Sequence, residues 1–205
     1  MLVPVISIDG KPLMPTKPSK ARRLIKERKA TPFFKKGIFC IRLNFSTTEY
    51  IQDIILGLDP GSKRTGISIC TETKSIIHIQ ANTPDWVKSH IQQRLIMRRA
   101  RRARNTPYRK CKSNRVIGGI PPSTKARWDA HLRIMKQLLK ILPISIVSVE
   151  DIQAKTKTGQ KKWNKSFSPI EVGKKYFYNY VEKALKLRLY LFQGYDTYSH
   201  RKLSG

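Results

Sequence analysis

The chain has 205 residues, 40% of them apolar, which is enough for one ordinary domain with an appendage and excludes global disorder. Its 42 Lys and Arg against 13 Asp and Glu give a formal net charge of +29. That excess repels itself unless a polyanion neutralises it, so nucleic acid is the expected partner and a membrane is not.

Residues 3–8 (VPVISI) read as a strand followed by an Asp9-Gly10 turn. Pro18 and Ser19 then open a short basic helix predicted to reach about Ala30, with Ala21, Leu24, Ile25 and Arg28 at helical spacing. Strict alternation comes next: Phe39, Ile41, Leu43 and Phe45 share one face, and Cys40, Arg42 and Asn44 the other, the pattern of a half-buried strand. Residues 1–48 therefore read as a small ββα module with too little apolar area to stand alone, so it is expected to dock on the rest of the chain. Between 49 and 83, IILGLD (54–59), TGISICT (65–71) and SIIHIQA (75–81) are three strand candidates. Their short connections favour an antiparallel meander.

From Trp86 to about Asn105 neither Pro nor Gly interrupts a run of helix formers. Its first half has an apolar stripe at Val87, Ile91 and Leu95; its second half places Arg98, Arg99, Arg101, Arg102 and Arg104 nearly all round the cylinder. A helix charged on every side is not a core element; it must be solvated, disordered or enclosed by a polyanion. Residues 107–122 read as a basic, Gly- and Pro-containing linker. Beyond it lies an amphipathic helix, with Trp128, His131, Leu132, Met135, Leu138, Leu139 and Leu142 on one face, and His131 there reads as a core-edge histidine. Ile144–Glu150 (ISIVSVE) looks like a central strand ending in a carboxylate, and residues 155–165 form another basic loop. Ser168, Pro169 and Glu171 spell a capping box that starts a helix to about Leu187, and RLYLFQ (188–193) is a further strand candidate.

The cysteines (Cys40, Cys70, Cys111) and histidines (His78, His90, His131, His200) lack metal-ligand spacing, so buried free thiols in a reducing compartment are expected and zinc is not. No apolar stretch reaches about 18 residues, and Met1 to Asp9 lacks the features of a secretory signal. The expected location is the cytoplasm (nucleoid-associated) or a plastid stroma. Among the acids, Asp59 and Glu150 stand out because each ends an apolar strand. Two such carboxylates on adjacent strands would seat Mg²⁺, which takes oxygen ligands and keeps several waters, and paired metals support phosphodiester hydrolysis. The alternative is that Asp59 caps its Pro60-Gly61 turn through amide hydrogens, and that Asp151 caps a helix.

Taken together, these segments resemble a known family. GKPLMPTKPSKARRLIKERKA looks like the PLMP module of IscB-type proteins, and LGLDPGSKRTGISI resembles their first RuvC motif. IMRRARRARN resembles their arginine-rich bridge helix, also called the RRXRR region; IVSVED resembles the second RuvC motif, and KKWNKSFSPIEVGKKYFY a segment after it. IscB proteins are transposon-associated, RNA-guided DNA endonucleases. The resemblance implies an α/β, RNase H-like (RuvC) partial domain in two parts, 49–83 and 123–205, with the bridge helix (84–106) and linker inserted between. By the same resemblance Asp59 and Glu150 are the first two RuvC metal ligands, with Mg²⁺ as cofactor if the protein is catalytically active. Structured, guide-type RNA is the implied partner, with target DNA and a second chain completing the site as further ones. Its implied contacts are Lys17, Lys20, Arg22 and Arg23 in the entry module and Arg94, Arg98, Arg99, Arg101, Arg102 and Arg104 on the helix. Arg109, Lys110, Lys112, Lys161 and Lys162 in the basic loops complete them, and sequence choice would come from guide pairing. The sequence departs from the family by having no HNH cluster and no third RuvC motif; Asp196 has no positive support as a substitute. Weak or no nuclease activity of the chain alone is therefore expected. The other reading is a catalytically silent RNA-binding protein of a ribosome or another ribonucleoprotein.

Overall fold

The computed structural model describes residues 2–47, 50–61, 63–104, 119–151 and 168–193. It is a mixed α/β structure with two mixed sheets and four helices among those residues. Strands β1 (Val3–Ile6), β2 (Pro12–Thr16), β3 (Ala30–Lys35) and β4 (Ile38–Leu43) form the first sheet, in the order β2-β1-β4-β3. The expected ββα module is thus corrected to four strands and one helix, α1 (Pro18–Lys26). The two strands that sequence reading missed carry Pro12, Pro15 and Pro32 and lie at the sheet edges, where a missing N–H disrupts no ladder. Helix α1 also stops before the expected Ala30: Arg28 adopts φ 56° and the chain turns into β3. Lys36 (φ 52°) and Gly37 (φ 82°) then close the β3–β4 hairpin, both central residues having the positive φ that a tight hairpin turn needs.

One face of this sheet packs on α1 through Val5, Leu13, Ala21, Ala30, Ile41 and Leu43. Its other face contributes Ile6 and Cys40 to the main core, so the module docks on the larger sheet as expected. Cys40 is fully buried, and burial raises its thiol pKa, the state of an inert core thiol.

The second sheet comprises β5 (Ile54–Asp59), β6 (Arg64–Thr71), β7 (Ser75–Asn82), β8 (Ile144–Glu150) and β9 (Arg188–Phe192), in the order β7-β6-β5-β8-β9. The first three make the expected antiparallel meander, while β8 and β9 run parallel to β5. Leu56, Leu58, Ile67, Ile69, Val147 and Val149 share one face and are buried against α3 (Pro122–Leu138) and α4 (Pro169–Asn179). Trp128 of α3 stacks on Phe177 of α4 with ring centroids 4.9 Å apart. Gly173 lets α4 approach this closely, because a Cβ there would strike the Trp128 indole. Ser168 caps α4 by accepting from the Glu171 amide (3.1 Å), and the helix continues as a π-helical turn, Tyr180–Ala184.

Candidate nucleic-acid and metal site

Side chains alternate across strands, so the residues flanking the buried ones point to the opposite face. There Gly57, Gly66, Ser68, Ser148, His78 and Gln80 are small or polar, and with Asp59, Glu150 and Phe192 they line an open cleft of about 710 Å³. The register brings the two carboxylates together: Leu58 pairs with Val149, which sets Asp59 beside Glu150 at the C-terminal ends of parallel neighbours. Glu150 in turn pairs with Phe192 of β9, and Asp59 with Gly66 of β6. A Cβ at Gly66 would lie 3.7 Å from the Asp59 Cβ, so the glycine keeps the space beside this carboxylate open.

Among the described residues the Asp59 side chain takes no part in the turn that follows it, and Ser62 lies outside them. Gly61 N–H donates to the Asp59 backbone carbonyl (3.1 Å), and among the described residues no hydrogen bond or ion pair occupies the Asp59 carboxylate. Glu150 and its neighbour in sequence behave differently. The Asp151 Oδ1 accepts from Lys174 Nζ (2.7 Å) and from the Tyr178 hydroxyl (3.0 Å), and Lys174 also meets Glu171 at 3.2 Å; the segment after Asp151 that a cap would serve lies outside the described residues. Lys174 is almost entirely buried, and burial together with the Asp151 carboxylate raises the Tyr178 pKa. Consecutive acids thus divide: Glu150 lines the cleft, and Asp151 ties the end of β8 to α4. Sequence reading did not find the Lys174 and Tyr178 partners, which carry no local signal.

Asp59 and Glu150 fit a hard divalent cation as an adjacent pair of oxygen donors with open space above one of them. Among the described residues, no group of three or more His, Cys, Asp or Glu is placed to hold a metal. The remaining positions around an ion would fall to water, phosphate oxygens or ligands beyond this pair.

Helix α2 (Trp86–Ala103) leaves the same end of the sheet, because β7 runs toward the Asp59 end and α2 begins just past it. It is exposed along almost its whole length, with only Val87 buried. The predicted apolar stripe is therefore not covered: Ile91 and Leu95 are 42% and 39% exposed. Arg94, Arg98, Arg99, Arg101, Arg102 and Arg104 are all exposed, as are Lys17, Lys20, Arg22 and Arg23 around α1. Arg109, Lys110, Lys112, Lys161, Lys162 and Asp196, with most of the predicted linker and the 155–165 loop, lie outside the described residues. His131 has the core role expected of it: its Nε2 meets the buried Thr65 hydroxyl at 2.9 Å, and burial lowers its pKa to about 4. No described helix is long and apolar enough to cross a membrane.

No curated protein matches the chain in sequence. Among solved structures, Thermus thermophilus RuvC in complex with a Holliday junction substrate is similar at 12% identity and a TM-score of 0.37, over 70% of this chain and 66% of that one. A Thermus thermophilus RuvC structure aligns at 14% identity and a TM-score of 0.34, over 68% and 63% respectively. The chain thus spans just under two thirds of the length of either. The RRXRR protein family model matches residues 3–166, from β1 through the arginine helix and past Glu150, and the chain belongs to that family.

Proposed function

We propose that this protein binds structured RNA through α2 and the basic surfaces near it, and that the Asp59–Glu150 cleft is the metal-holding part of a RuvC-like nuclease site. The observation that carries the reading is the register that sets Asp59 beside Glu150 on an open cleft. A helix of exposed arginines springs from the same end of the sheet. The sheet order, a three-stranded antiparallel meander continued by two parallel strands, is also the one an RNase H-like fold requires.

In this reading Asp59 and Glu150 hold Mg²⁺, which supplies charge neutralisation at a phosphodiester and a more acidic bound water. The glycine floor at Gly57 and Gly66 admits the backbone close to the carboxylates. Two carboxylates do not complete a two-metal site, so cleavage awaits further ligands from elsewhere in this chain or from a second chain. The RNA is of guide type, as in IscB proteins, and target DNA is paired by that guide rather than read by the protein.

A second reading, a catalytically silent RNA-binding protein of a ribosome or other ribonucleoprotein, is favoured by the lack of a third metal-ligating group among the described residues. Sequencing the nucleic acid that copurifies with the protein from its host separates the two. One enriched structured RNA with a variable segment supports the guide reading; ribosomal or heterogeneous RNA overturns it.

A further inference from the structure

Helix α3 buries Trp128, Leu132, Met135 and Leu138, which fixes its opposite flank outward. On that flank Arg133 and Lys136 succeed one another at helical spacing, Lys140 follows in the turn just past the helix end, and all three are exposed. Among the described residues no carboxylate pairs with any of the three. The acid on the same flank, Asp129, is occupied by the Tyr176 hydroxyl, which donates to its Oδ1 at 2.7 Å. Lys136 Nζ rests 4.5 Å above the Tyr180 ring, which restrains a side chain that would otherwise be free. Lys35, from the β3–β4 hairpin, donates to the Lys140 carbonyl (3.5 Å) and adds a cation from the first sheet. Together Asp129, Arg133, Lys136, Lys140, Tyr176 and Tyr180 line a shallow concavity of about 470 Å³.

We propose that this flank of α3 is a second RNA surface, which takes the phosphate backbone of a base-paired RNA segment on the side of the sheet opposite Asp59 and Glu150. Arg133 and Lys136 on the helix, with Lys140 in the turn just past it, are spread along one edge of the concavity as successive phosphates of one strand would require. An acidic protein is the weaker fit. The flank exposes cations around two half-buried tyrosines, whereas the centre of a protein interface is depleted of lysine and rich in apolar contact. Because α3 covers the face of the sheet away from the carboxylates, RNA held here is a different segment from any nucleic acid in the cleft. The protein then grips its RNA on both sides of the sheet. The inference rests on the RNA-binding reading above.

The test compares the full chain with R133Q/K136Q/K140Q and, separately, with R98A/R101A/R102A. Each is titrated with a labelled, fully paired RNA hairpin over a range of salt. The α3 variant is expected to keep the wild-type melting temperature and to lower the log–log salt slope by about 2 to 3, one phosphate contact per charge removed. An unchanged slope in the α3 variant, with a reduced slope in the α2 variant, overturns this inference and leaves the RNA reading standing. No binding of the hairpin by wild type overturns the RNA reading itself. Competition by polyglutamate as effective as by unlabelled hairpin also overturns the proposal, in favour of an acidic protein partner.

Discussion

Replacing Asp151 with leucine separates its role from that of Glu150. The substitution keeps the γ-branched shape with a larger, apolar side chain, removes the Asp151 carboxylate from the Lys174 ammonium, 8% exposed, while Glu171 stays beside it, and takes the acceptor from Tyr178. Breaking a buried ion pair by removing one partner costs about 3 to 5 kcal/mol, and Glu171 places this case near the lower value. At about 2 to 4 °C per kcal/mol for a chain of this size, the melting temperature should fall by roughly 6 to 12 °C. The double variant D151L/K174M removes both charges and should recover to within about 1 kcal/mol of wild type, since apolar replacement of a buried pair is often neutral. Thermal and urea denaturation monitored by circular dichroism, on protein stripped of nucleic acid, reads wild type, the two single variants and the double variant. The non-additivity of the cycle gives the coupling directly. A D151L variant melting within about 1 °C of wild type, or a double variant no more stable than D151L, would refute this account of how β8 is anchored to α4.

Other perturbations probe the core, the cleft and the arginine helix. His131 has a folded pKa of about 4 against 6.5 unfolded, so the unfolded chain takes up more protons between those values. Stability should therefore fall as pH drops from 6.5 to 4, by up to about 3 kcal/mol, and H131Q should flatten that dependence in urea titrations. Gly66→Leu fills the space beside Asp59 without removing a charge and should weaken Mn²⁺ binding severalfold by calorimetry while leaving RNA affinity unchanged. R98A/R101A/R102A should lower the salt slope of RNA binding by about 2 to 3; a wild-type slope would remove α2 from the interface.

The strands β5 to β8 and both carboxylate positions were legible because apolar runs ending in Asp59 and Glu150 are local features. What brings those carboxylates together is not local: the pairing of Leu58 with Val149 joins strands separated by two helices. The edge strands β2 and β3 were hidden by Pro12, Pro15 and Pro32, which read as breakers until their place at the sheet margin is known. Arg28 sat at helical spacing, yet its positive φ ends α1 and lets β3 pair with β4. The spacing of Val87, Ile91 and Leu95 marked an apolar stripe on α2, of which Val87 is buried while Ile91 and Leu95 remain exposed. Periodicity states which residues share a face, and packing decides whether anything lies on it.

The most direct test of the central claim is Mn²⁺ binding to the wild-type chain, Asp59→Asn and Glu150→Gln, measured by electron paramagnetic resonance after removal of nucleic acid. The account predicts saturable binding by wild type, loss in each variant, and hairpin RNA affinity unchanged within about twofold in both. Equal Mn²⁺ binding by all three proteins would contradict it and leave the cleft without a metal-holding role.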